Sequence, residues 1–125
     1  MTALDLARRG YGMAGAPVRS ARNIEYDLFA RVTKKLQGSL QPGPGQITTR
    51  AAALHENLQL WAALAADVAQ PGNSLPQSLR ARLFYLYEFT AQHSRKVQAD
   101  KAGVEVLIDI NTAIMRGLRG EGGIA

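Results

Sequence analysis

The sequence predicts an all-α fold, a small bundle of about four helices, from three observations. Apolar residues recur at steps of three or four in four separate stretches. Proline and glycine gather between those stretches, at Pro42 to Gly45, at Pro71 and Gly72, and at Gly103. The connections are short, which favours antiparallel neighbours, and strand signal is slight. At 125 residues the chain is long enough for one core and below the size at which cores divide, so a single helical domain is expected over 20–118.

Residues 1–19 scatter Leu4, Leu6, Tyr11, Met13 and Val18 among Gly10, Gly12, Gly15 and Pro17. That pattern predicts a mobile arm with at most a short helical piece at Leu4 to Arg9. The first long helix is expected over about 20–40, with Ser20 as its cap and Ile24, Leu28, Phe29, Val32, Leu36 and Leu40 as its buried stripe. Glu25 and Asp27 near its start and Lys34 and Lys35 toward its end suit the helix dipole.

Gln41 to Gln46 alternates two prolines with two glycines and reads as a linker. A second helix follows over about 47–70, capped by Thr48 or Thr49, with Ala51, Leu54, Leu58, Trp61, Leu64, Ala65 and Val68 on its apolar side. Its many alanines favour the helix and permit close approach of a neighbour. Pro71 disfavours helical dihedrals at Gln70, and Gly72 relaxes the backbone after it.

A third helix is expected over about 74–99. Ser74 and Gln77 have capping-box spacing and Pro76 is tolerated in a first turn, although Pro76 also leaves Leu75 as an alternative cap. Leu79, Leu83, Leu86, Tyr87 and Thr90 share a face, and Phe84, Tyr85 and Phe89 widen it. So wide an arc implies burial on two sides, or burial plus a surface kept for a partner. Polar residues take over from Gln92 to Asp100, and Gly103 marks a stop or turn. The fourth helix, about 104–118, aligns Val104, Leu107, Ile108, Asn111, Ile114, Met115 and Leu118 before a flexible glycine-rich tail at 119–125.

The net charge of +5 is concentrated in the first 50 residues, where eight Lys or Arg face three acids. Such an end can meet nucleic acid, an acidic protein or an anionic surface, or serve as a solvated face. No apolar run approaches the roughly 20 residues of a membrane span, so membrane insertion is not expected. The absence of an apolar segment after Arg8 and Arg9 argues against a secretory signal. The lack of cysteine fits a reducing compartment.

Catalysis is poorly supported. His55 and His93 fall on different helices without a second ligand at metal spacing, and the chain has no nucleophile motif or phosphate-binding loop. No cofactor is implied. Four polar residues instead mark apolar surroundings. Asn111 lies on the apolar face of the fourth helix, where a buried amide needs partners; a hydrogen bond to a loop backbone is the expected one. Asp109 interrupts the same apolar run, and Asn57 precedes Leu58 in the second stripe. Asp67 lies near a helix C-terminus, a poor place for a negative charge by the helix dipole, and is expected instead to accept from the turn at Gly72 to Ser74 or to pair with Arg80.

Together these residues resemble the FlaF family of flagellar biosynthesis regulators of alphaproteobacteria. The matching blocks are Glu25-Tyr26-x-Leu28-Phe29, Asn57-x-x-Leu60-Trp61-x-x-Leu64-Ala65-x-Asp67, Pro71-x-Asn73-x-Leu75-Pro76-x-x-Leu79-Arg80-Ala81, and Leu107 to Asn111 continuing to Leu118. The resemblance implies a small, cytoplasmic, non-enzymatic protein needed for flagellin production, acting with the FlbT regulator and binding flagellin as a secretion chaperone would. A bundle with surplus apolar surface could hold an amphipathic helix of that subunit. By residue type, Tyr26, Phe29, Trp61, Phe84, Tyr85 and Phe89 are the anchors to expect, while Asn57, Asp67, Asn73, Pro76, Arg80, Asp109 and Asn111 hold the shape. The alternative is a regulator that binds flagellin message through Arg19, Arg22, Arg31, Lys34 and Lys35, with Arg8 and Arg9 of the arm.

Overall fold

The computed structural model describes residues 18–118, with side chains from residue 25 onward. It is all-α: α1 (Val18–Gly38), α2 (Gln46–Val68), α3 (Gln77–Gln98) and α4 (Glu105–Leu118), with no strand among the described residues. Close packing joins α1 to α4, α2 to α3 and α1 to α2, while α3 and α4, although consecutive, do not make a close pair. The tail at 119–125 and the arm lie outside the described residues, except Val18 and Arg19, which begin α1.

The helix ends depart from the sequence expectations for local reasons. Because α1 begins at Val18, Ser20 is inside the helix and does not cap it. The linker reverses the chain through Gly43 at φ 131° and Gly45 at φ 81°, conformations that favour glycine. Gly45 is therefore the residue before α2, and Thr48 and Thr49 lie in its first turn. Gln46 Nε2 ties the linker back by donating to the Ser39 carbonyl at 3.1 Å.

The α2–α3 turn uses a different device from the expected capping box. Pro76, extended at φ −55° and ψ 145°, precedes α3 at Gln77, so Ser74 and Leu75 belong to the turn. Asn73 shapes it: its Oδ1 accepts from the Leu75 N–H at 3.0 Å and its Nδ2 donates to the Asp67 carbonyl at 3.2 Å. Arg80 then reaches back from α3, donating to the carbonyls of Val68 at 2.8 Å and Gln70 at 3.3 Å. A cation thus satisfies carbonyls left over at the C-terminal end of α2.

At the end of α3 the residue in the left-handed region is Asp100, at φ 59°, rather than Gly103. Lys101 N–H bonds the Lys96 carbonyl at 2.8 Å and Asp100 N–H bonds that of Val97 at 3.0 Å, the paired bonds of a Schellman stop. His93 Nε2 donates to the Gly103 carbonyl at 2.8 Å, fastening the loop to α3.

The core has two apolar clusters. One joins Phe29, Val32, Leu60, Trp61, Val68, Leu83 and Ile114 from all four helices. The other joins Leu36, Ala53, Leu54, Val97, Val104 and Leu107. Between them in chain order lie the buried polar residues Thr33, Asn57, Thr90, Ser94 and Asn111, at least one from each helix. The α2 stripe is turned relative to expectation, since Asn57 and Leu60 are buried while Ala51 is exposed and Leu58 is half-buried. Likewise Ser94 and Val97 are buried, so the inner face of α3 continues past Gln92. Just past the end of α1, Leu40 is exposed and Ser39 takes the buried place.

Candidate functional site

Two features stand out: a polar layer inside the bundle and an aromatic face outside it. In the layer, Trp61 Nε1 donates to Asn111 Oδ1 at 2.9 Å, and Asn111 Nδ2 donates to Asn57 Oδ1 at 2.8 Å. Trp61, Asn57 and Asn111 are all 0% exposed. The partners of Asn111 are thus side chains of α2, not the loop backbone that its position suggested. Buried polar groups of this kind fix which helix faces which, since a rotated neighbour would leave them unpaired.

Phe29 and Trp61, expected as partner anchors, are core residues instead. Their rings meet edge to face at 5.7 Å, and Phe29 is buried with Trp61 in the first apolar cluster. Neither presents a surface. Helical spacing put both residues on apolar faces, and packing between α1 and α2 consumes those faces. Tyr26 is half-buried on α1.

The aromatic residues of α3 divide differently. Phe84 is 40% exposed and Tyr85 63% exposed, and Leu75 at the preceding turn is also exposed. Phe84 stands edge to face with the half-buried Tyr87 at 5.9 Å, which fixes one side of its ring. Phe89 is half-buried and stacks on His93 at 5.5 Å. The wide arc of α3 is therefore burial plus an outward face with two adjacent aromatic side chains. Such a face suits an apolar partner, because aromatic side chains contribute large contact area for few rotatable bonds.

The remaining residues singled out in the sequence fall into separate places. Asn73, Pro76 and Arg80 build the α2–α3 turn, with Asp67 accepting from Asn73 Nδ2 at 3.5 Å through its carboxylate as well. Asp109 is exposed on α4 and takes no part in the polar layer. Arg31, Lys34 and Lys35 are exposed on α1, and Lys35 pairs with Glu56 of α2 at 2.7 Å. The side chains of Arg19 and Arg22, and all of Arg8 and Arg9, lie outside the described residues. Sequence reasoning missed the bonds that join Trp61, Asn111 and Asn57, and Asp100 as the left-handed residue that ends α3. The signal for the layer was an asparagine interrupting the apolar stripe of α2 and another interrupting that of α4.

Among the described residues no group of three or more His, Cys, Asp or Glu could hold a metal ion, and no helix is long and apolar enough to cross a membrane. The model of the family described as Flagellar protein FlaF matches residues 7–118, most of the chain. A search of curated proteins finds no match, and neither does a search of solved structures.

Proposed function

The chain belongs to the FlaF family of flagellar proteins, and on that premise we propose that it is a non-enzymatic regulator of flagellar biosynthesis that binds flagellin as a chaperone. The observation that supports this reading is the outward face of α3, where Phe84 and Tyr85 stand exposed on a helix whose other side is anchored in the core. Subunits that polymerise through amphipathic helices must keep those apolar faces covered before assembly, and a helix laid against an aromatic face achieves this. The protein acts in the cytoplasm, controls flagellin synthesis or secretion, and works alongside an FlbT-type regulator.

The competing reading is a regulator of flagellin message, and exposed Arg31 and Lys34 on α1 are the observation in its favour. Pairing of Lys35 with Glu56 weakens that surface, and single-stranded RNA is usually read by bases stacking on aromatic platforms. The discriminating experiment is a pair of titrations of the purified full chain, one with monomeric flagellin and one with flagellin leader RNA at about physiological salt. Binding of the protein with no sequence-dependent RNA shift supports the chaperone reading; the reverse supports the message reading.

A further inference from the structure

The polar layer leaves one donor over, and the chemistry of its members shows why. An indole nitrogen can only donate, so the oxygen of the Asn111 amide must face Trp61, as it does at 2.9 Å. The Asn111 nitrogen must then face Asn57, whose oxygen accepts it at 2.8 Å. The orientation of both amides is thereby set by Trp61, and no flip of either amide removes the remainder. That remainder is Asn57 Nδ2, a fully buried donor with no partner among the described residues. Among the described residues, Thr90 Oγ1 is also a buried polar atom without a partner.

The register of α2 against α3 puts Asn57 and Thr90 at a similar level of the bundle. Arg80 of α3 bonds the Val68 carbonyl of α2, which registers the two antiparallel helices. At about 1.5 Å of rise per residue, Asn57 lies about 16 Å before Val68 and Thr90 about 15 Å beyond Arg80. Asn57 separates Leu54 of one apolar cluster from Leu60 of the other, and Thr90 separates Val97 from Leu83 in the same way. Both residues are 0% exposed. Two buried polar atoms on packed helices at a similar level, neither bonded to a described residue, are groups of the kind that a single enclosed water satisfies.

We infer that the bundle binds one ordered water molecule in this layer, accepting from Asn57 Nδ2 and donating to Thr90 Oγ1. The donor chain then runs Trp61 to Asn111 to Asn57 to water to Thr90 and links α2, α4 and α3. The site takes a small neutral molecule able both to accept and to donate, and it owes nothing to the flagellin reading. It also gives α3 and α4, which do not pack closely against each other, a bonded connection across the core.

High-resolution crystal structures of the full chain, its Thr90→Ser variant and its Thr90→Val variant test this. The expected result is a water peak within hydrogen-bond distance of Asn57 Nδ2 and residue 90 in the first two, and its loss in the third. In solution, the Asn57 side-chain amide protons should show a long-lived water contact in the same two proteins. Should Thr90→Val fail to fold, the unmodified chain and Thr90→Ser still decide. A direct bond between Asn57 and Thr90 with no water, an empty layer, or a water contact that survives Thr90→Val would each overturn the inference.

Discussion

Trp61 of α2 donates its indole N–H to Asn111 of α4 across fifty positions of sequence, at 2.9 Å and without contact with solvent. The bond makes the only tryptophan a reporter on how α4 is seated. It also makes Asn111 the residue on which the layer turns, since Asn111 both accepts from Trp61 and donates to Asn57.

Replacing Asn111 by Ala should therefore strand two buried polar groups, at a cost of about 1–3 kcal/mol for each unsatisfied group. We expect a loss of about 2–4 kcal/mol in urea unfolding, with a shift in Trp61 fluorescence in the folded state. A double-mutant cycle with Asn57→Ala should show coupling, because the two substitutions remove one shared bond. Additive losses and unchanged fluorescence would mean that the layer does not orient α4.

Arg80→Ala should loosen the α2–α3 turn by removing both donors to the end of α2. A loss of about 1–2 kcal/mol is expected, with faster amide exchange confined first to the last turn of α2 and the residues before Pro76. Arg80→Lys should recover only part of it, since an ammonium cannot span two carbonyls as a guanidinium fork does.

Asp100 occupies the left-handed region at φ 59° and pairs with Arg50 at 3.1 Å on the surface. Exposed pairs contribute about 0–1 kcal/mol, whereas a β-branched side chain in this conformation is strained by about 1–2 kcal/mol. Asp100→Gly should thus leave the melting temperature level or raise it, and Asp100→Val should lower it. The reverse order would show that the ion pair, rather than the backbone, governs the stop.

Lys35→Ala removes an exposed pair with Glu56 and should cost less than about 0.5 kcal/mol. Chemical unfolding at low and high salt checks this, and a larger loss would assign the pair a structural part in joining α1 to α2.

The fold class was legible because apolar spacing and proline-glycine punctuation act locally, and all four helices lie within a few residues of where those signals put them. The stops that were misplaced depend on side chains reaching beyond their own turn. Asn73 and Arg80 close the α2–α3 turn from opposite sides, and no capping pattern encodes that cooperation. Asp100 ends α3, with Gly103 in the turn that follows, because aspartate tolerates the left-handed region when its turn is otherwise bonded. Residue type alone also could not divide the aromatic residues. Phe29 and Trp61 meet inside the bundle, while Phe84 and Tyr85, of the same chemical kind, face outward. Which aromatic is spent on packing follows from how α1 and α2 meet, a relation between distant parts of the chain.

The outward aromatic face leads to the most direct test of the proposed function. Titration calorimetry of the full chain with monomeric flagellin, repeated with the Phe84→Ala/Tyr85→Ala double variant, measures whether that face holds the partner. We predict binding by the unmodified chain and a loss of at least about tenfold in affinity for the variant, equivalent to about 1.4 kcal/mol, while its helical circular dichroism is unchanged. Equal affinity of both proteins, or no heat from either, would contradict the account.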